Sequence, residues 1–361
     1  MARAVGTDVD LLSPEATSDP HAAFARLRAN DPIHWSSRHH AWLLTRYRDV
    51  IGAFRDPRLS ADRIPSGDAY DLLRRWMVFR DPPDHTRLRR LTQYAFTPRA
   101  IDGRRERMRS IVSDLLDEGA SMGRCDLIRT FAFPLPAIVI AELLGVPPGD
   151  REKFKRWSRN IGAVVSAAET PDRAERTREG VAEFTDYFTW LVERAHDEPA
   201  DDLLHALVTA HDEGDRLTTE ELVATCTLLL FAGHETTTYL IANATRALLD
   251  TGSRLPGLRA QMADPAVAQV AVEEFLRYDG PLKGTMRRAA VTHDRDGRTL
   301  EAGASVYLAL AAANRDPNVF ADPDRLDITR PLTPHVAFGF GIHHCLGAHL
   351  ARVETQIAIP A

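Results

Sequence analysis

Near its carboxyl end the chain reads HVAFGFGIHHCLGAHLAR, and the side chain there with the most chemistry to offer is Cys345. Glycines at 339, 341 and 347 frame it, two histidines precede it, and a helix-forming run, LGAHLARVET, follows. Glycine lets a backbone take positive φ or come very close to a flat partner. A sulfur at a helix amino terminus meets exposed N–H groups and the positive end of the dipole, which favours the thiolate. Held on a tight loop, that thiolate could be a nucleophile, a redox sensor or a metal ligand. The same residues also fit a small buried cysteine with no reactivity. A cysteine hydrolase would need an oriented base, and His344 has no supporting acid placed near it.

Three further groupings have chemical spacing. In EEFLR, Glu274 and Arg277 are three apart and share a helix face, which taken alone describes a common surface pair of little worth. DPPDHTRLRRL opens with residues of a helix start, and His85 and Arg89, four apart, fall on one face. Its plain reading is a solvated basic face. AGHETTT, residues 232–238, puts a glycine, a carboxylate and hydroxyls inside an otherwise apolar run. A buried carboxylate is costly unless paired or linked to water. The alternative is an ordinary polar face, with Thr236 bonded back to the carbonyl of Ala232.

The elements that must position these residues are mostly helical from about residue 20 to 280. DPHAAFARLRAND has an Asp-Pro start and helical spacing of apolar residues, and RYRDVIGAFRDPRLS repeats the pattern up to Pro57. Between them IHWSSRHHAWLLT reads as a hairpin. The longest element is LTTEELVATCTLLLFAGHETTTYLIANATRALLDTG. Thr218 and Glu221 make a capping box and Gly252 a stop, which gives about 30 residues or about 45 Å of helix. After 285, RRAAVTHDRDGRTLEAGASVYLALAAA alternates as strands do and turns at Asp296-Gly297, and a Pro-rich meander leads to the Cys345 loop.

Composition bounds the rest. With 361 residues, 44% hydrophobic and a net charge of −6, the chain can bury a large core and lacks the basic balance of a general nucleic-acid binder. Three scattered cysteines give neither a disulfide framework nor zinc spacing, so a reducing cytoplasm is the expected home. No signal core or membrane anchor is expected.

FGFGIHHCLGAHLAR resembles the haem-binding loop of the cytochrome P450 family, FGxGxHxCxGxxLAR, at Phe338, Gly339, Gly341, His343, Cys345, Gly347, Leu350, Ala351 and Arg352. The resemblance implies the P450 fold of the soluble bacterial type: mainly α with small β-sheets, a single large domain over 1–361 with about 1–17 as a tail. It places haem b (iron protoporphyrin IX) between the long central helix and the Cys loop. Cys345 would be the thiolate ligand of the iron, Phe338 would shield the sulfur, and His343 would hydrogen-bond a propionate. Gly339 and Gly347 would let the loop lie on the porphyrin, and His85, Arg89 and Arg287 would hold propionates, with Arg288 next door to the last. Glu274, Arg277 and Arg330 of DRLDITRP would form a structural triad. Ala232 and Gly233 would line the oxygen side, Gly233 leaving a gap for oxygen and water. Thr236 would donate a hydrogen bond to dioxygen, and Glu235 would relay protons.

The implied activity is a haem-thiolate monooxygenase that inserts one atom of O2 into a small or medium organic substrate, with electrons from an external ferredoxin and its reductase. The alternative within the same fold is a haem protein without turnover, a ligand sensor or carrier. Arg87 and Arg90 could form a landing patch for the ferredoxin or merely a solvated face. Substrate-facing positions are expected after Leu59, from Asn160 to Phe188, near Phe231 and in PLKGTM, where Lys283 could meet a substrate carboxylate. A terpenoid, steroid or polyketide of secondary metabolism is the kind of molecule expected. Two departures stand out: a short segment between Leu59 and Asp81, and an end at Ala361 a few turns into the helix after Cys345. The family pattern continues with a C-terminal hairpin missing from the residues given, so the carboxyl end reads as truncated, either a clipped sequence or a molecule with one pocket wall fewer.

Overall fold

The computed structural model describes residues 10–11, 13–67, 70–150, 153, 157, 173–198, 202–212 and 215–361. In chain order the first helices are α1 (Pro14–Ser18), α2 (Pro20–Asn30), α3 (Tyr47–Arg55), α4 (Asp71–Arg74) and α5 (Asp84–Ala95). Then come α6 (Pro98–Asp102), α7 (Arg105–Ser121), α8 (Pro134–Leu143), α9 (Arg173–Asp197), α10 (Leu203–Thr209) and α11 (Thr219–Leu249). The last are α12 (Leu255–Met262), α13 (Pro265–Asp279), α14 (Leu310–Ala313) and α15 (Ala348–Ala358). Among the described residues no helix is long and apolar enough to cross a membrane. Contacts divide the chain into two compact units: 1–63 with 243–345, and 64–242 with 346–361.

The first unit is built on a five-stranded sheet. The expected hairpin forms as β1 (Ile33–Ser36) and β2 (Ala41–Leu44), antiparallel. β2 runs parallel to β9 (Ser305–Leu308), β9 antiparallel to β6 (Thr285–Ala289), and β6 pairs with the short β3 (Leu59–Ser60). A separate pair, β7 (His293–Arg295) and β8 (Arg298–Leu300), turns at Asp296-Gly297, where φ is 51° and 73°. Those positive values explain the Asp-Gly in a two-residue turn. α2 starts where expected, because Asp19 accepts hydrogen bonds from the His21 and Ala22 amides and Pro20 opens the first turn. Under the sheet, Val50 and Ala53 of α3 pack with Leu44, Val306, Leu308 and Val336. The alternating pattern read through residue 313 ends at Leu308. Leu310–Ala313 is helical, since this all-apolar run is buried on every side and has no polar face to alternate.

Among its described residues the second unit is helical, with a small strand pair, β4 (His211–Asp212) and β5 (Asp215–Arg216). α11 begins with the expected capping box: Thr218 N donates to Glu221 Oε2 at 2.9 Å, and Glu221 N to Thr218 Oγ1 at 3.3 Å. The helix ends at Leu249, followed by Gly252 at φ 59°. Leu222 and Leu230 of α11 join Leu91, Met108, Leu135, Ile140, Leu350 and Val353 in one apolar core. That core holds α5, α7, α8, α11 and α15 together, and burial of a leucine-sized side chain is worth about 1.5–3 kcal/mol. The segment from 59 to 81 is not bare loop, since it carries β3, α4 and a turn of 3-10 helix at Met77–Phe79.

Candidate functional site: the cysteine loop and the long helix

In the first unit, the loop that carries Cys345 closes on itself: the Cys345 amide donates to the Phe338 carbonyl at 2.8 Å. Gly339 and Gly341 adopt φ of 71° and 70°, a region L side chains avoid. The glycines are therefore required by backbone conformation, and they bring the chain round to leave Cys345 exposed. The approach to the loop is fixed by two hydrogen bonds. Val336 N donates to Asn314 Oδ1 at 2.7 Å, and His335 Nε2 pairs with Glu273 Oε2 at 3.1 Å.

Arg287 on β6 is buried and Arg288 is exposed, as the pleat demands of neighbours in a strand. That alternation selects Arg287 as the inward cation. Its guanidinium lies 5.3 Å from the centroid of the Phe54 ring and donates to the Met286 carbonyl. The triad forms as expected. Glu274 takes Arg277 Nε at 2.7 Å and Nη2 at 2.9 Å, and Arg330 Nε at 3.1 Å. The Asp327 amide also donates to Glu274, while Arg277 reaches the carbonyls of Asn314, Pro323 and Arg325. The triad thus ties α13 to the meander and to Asn314, which holds the approach to the cysteine.

In the second unit, His85 and Arg89 share a face of α5, His85 buried and Arg89 half-buried. On α11, Thr236 Oγ1 donates to the Ala232 carbonyl at 2.8 Å, the back-bonded arrangement expected of a helical threonine. Thr238 does the same to His234 at 2.8 Å, while Thr237 reaches Gly233 only at 3.5 Å. Burial pushes the Glu235 carboxyl above its ordinary pKa. Gly347 is the N-cap residue of α15.

A profile described as Cytochrome P450 matches residues 33–250 and 260–361. The chain belongs to the cytochrome P450 family. This P450 is 44% identical over 361 residues to the Vitamin D(3) 25-hydroxylase of Pseudonocardia autotrophica, covering 97% of this chain and 87% of that protein. It is 41% identical over 365 residues to the cytochrome P450 monooxygenase PikC of Streptomyces venezuelae, covering 98% and 85%. Among solved structures, the bacillaene polyketide synthase cytochrome P450 PksS of Bacillus subtilis 168 matches with a TM-score of 0.89 at 36% identity, covering 96% and 89%. With relatives named hydroxylases and monooxygenases, this P450 is an oxidoreductase of the monooxygenase kind, and its family implies a haem.

The residues present fit that group. An exposed thiol on a loop of positive-φ glycines and a buried guanidinium in the same unit are the donor set that an iron porphyrin with carboxylate side chains requires. Other expectations for this P450 need correction. Gly233 does not open a gap in its Cβ direction: a methyl there would come within 3.1 Å of Ile140 Cγ1, so the glycine lets α8 approach α11. Lys283 is bonded to Asp279 and to the Gly280 carbonyl, an engagement that competes with any substrate carboxylate. Arg87 is clamped by Asp215 at 2.7 Å and Glu221 at 2.6 Å, which neutralises half of the imagined landing patch and leaves Arg90 exposed. The substrate-facing positions expected from 160 to 172 lie outside the described residues.

Sequence reasoning missed Glu354, which is 1% exposed on α15 with both oxygens outside hydrogen-bonding geometry. Its signal was present: Glu354 is four residues from Leu350 and from Ala358, within the helix's apolar stripe. Burial pushes its pKa up to about 8, and the Thr237 hydroxyl offsets only part of this. The folded protein therefore holds this proton more tightly than the unfolded chain. Stability is full below the ordinary carboxylate pKa and falls as pH rises towards about 8. Glu354→Gln should flatten that decline, which denaturant midpoints at about pH 6 and about pH 9 would reveal; an unchanged pH dependence would contradict it.

Proposed function

We propose that this P450 is a haem-thiolate monooxygenase in which Cys345 ligates haem b and a separate ferredoxin with its reductase supplies electrons in the cytoplasm. The observation that carries the reading is the Cys345 loop, closed on the Phe338 carbonyl and turned by two positive-φ glycines so that the sulfur is exposed. Haem, when bound, supplies oxygen activation, and a thiolate ligand's electron donation favours O–O cleavage. The chain's own residues hold and protonate. Arg287, His85, Arg89 and His343 would hold carboxylates by charge-assisted hydrogen bonds. Phe338, Gly339 and Gly347 would shape the proximal loop, with Ala232 and Gly233 on the oxygen side.

Thr236 now spends its proton on the Ala232 carbonyl. Its lone pairs are free to accept, and it can donate towards dioxygen only by releasing that bond. Glu235, whose burial favours the protonated carboxyl, precedes it in α11 and would restore the proton through solvent. Thr236→Ala should therefore keep oxygen consumption but lower product formed per oxygen consumed by about a hundredfold, the low end of what a positioned proton donor contributes. Unchanged coupling would remove Thr236 from proton delivery.

The names of the relatives, a vitamin D(3) hydroxylase and a polyketide synthase P450, support a medium-sized, largely apolar substrate such as a steroid, terpenoid or polyketide. A spectral screen for compounds that shift the haem absorption tests this. Bound haem with no product under oxygen and a reductant would instead mark a carrier or sensor.

A further inference from the structure

The last turn of α3 touches the cysteine loop and the inward arginine at once. The Phe54 ring lies under the Arg287 guanidinium at 5.3 Å, and its Cζ is 3.7 Å from the point where a Cβ of Gly339 would be. The Phe54 carbonyl is 3.5 Å from the corresponding point at Gly341. One residue on, the Arg55 guanidinium stands 4.8 Å from the centroid of the Phe340 ring. Two cation–aromatic pairs therefore bind one helical turn to a strand cation on one side and to the glycine loop on the other. The turn is itself anchored: Asp56 takes Arg295 Nη2 at 3.2 Å and Arg58 Nε at 2.8 Å. A guanidinium is attracted to the negative face of an aromatic ring, more strongly when desolvated, and Arg287 is 7% exposed.

We propose that Phe54 is a positioning residue for haem, the shared wedge that fixes the Arg287 guanidinium relative to the Cys345 loop, with Arg55 bracing the loop from its surface side. The inference rests on Cys345 and Arg287 both engaging haem. An aliphatic residue of similar bulk can fill Phe54's place but offers no negative ring face to Arg287. The role thus predicts a difference between Phe54→Leu and Phe54→Tyr that packing alone does not.

The experiment compares wild type, Phe54→Leu, Phe54→Tyr and Arg55→Ala as haem-loaded proteins. It follows haem release to an excess of apomyoglobin, the reduction potential, and the carbonyl-complex spectrum of the reduced protein. Phe54→Leu is expected to release haem about tenfold faster, with a shifted potential and a growing share of the band given by a lost thiolate. Phe54→Tyr should stay within about twofold of wild type, and Arg55→Ala should show a smaller loss than Phe54→Leu. Equal behaviour of Phe54→Leu and Phe54→Tyr overturns the wedge, and so does a Phe54→Leu protein indistinguishable from wild type. A Phe54→Leu protein that fails to fold while Phe54→Tyr folds and holds haem normally supports it. A wild type without a thiolate spectrum would overturn the haem-thiolate assignment itself, a separate outcome from any difference among the variants.

Discussion

Cys345→Ala is expected to cut monooxygenase turnover by about a thousandfold or more, because the electron donation that drives O–O cleavage comes from the thiolate and no other side chain replaces it. The other two cysteines are not on this loop: Cys226 is fully buried with burial raising its thiol pKa, and Cys125 lies between α7 and α8. The variant should remain folded. Cys345 is exposed, and its role in the loop's closure uses its backbone amide, which alanine retains. The reduced carbonyl spectrum should therefore lose its thiolate character while the circular dichroism is kept. Turnover near that of wild type would sink the ligand assignment. Cys345→Ser, which offers a harder and less electron-donating oxygen, should behave as the alanine variant does.

Glu274→Gln should cost about 3–5 kcal/mol of stability, the usual result of leaving buried charge without its partner. The side chain is 3% exposed and serves two guanidiniums and one amide. Glutamine keeps the shape but turns one oxygen into an N–H donor that faces a cation. Arg277, equally buried, would keep only carbonyl partners. Because the same network holds Asn314 and hence the Val336 amide before the loop, the loss should also appear as poorer haem retention. A denaturant midpoint and haem content equal to wild type would show the triad to be dispensable. Restoring the carboxylate as aspartate should recover little, since it is one methylene too short for a bidentate bond to Arg277.

Much of the candidate site's local geometry was legible because its requirements are local. The loop glycines, the cysteine and the following helix are consecutive, and the capping box at Thr218 and the Asp-Gly turn at 296 depend on near neighbours alone. Other readings changed once partners outside the quoted motif were seen. Lys283 is engaged by Asp279, a near neighbour four residues earlier, which also holds His21 and Arg246. Nothing in TRLRRL reveals that Arg87 will reach Asp215 and Glu221, more than a hundred residues away. Gly233 was read for its emptiness, yet Ile140 fills that space.

By itself, then, the sequence determined the family, the glycine-framed cysteine loop and the long capped helix, and it named the candidate ligand cysteine and the candidate proton-transfer pair. Each follows from residue type and short spacing, which set backbone conformation and intrinsic chemistry. Only the tertiary structure decided which arginine of 287 and 288 faces inward, which cations are already spent, and that a carboxyl at 354 is buried beside the α11 threonines. It alone showed Phe54 meeting both Arg287 and the glycine loop. These are long-range facts: burial and pairing depend on what the rest of the chain packs against a side chain, and that is settled only when the chain has folded.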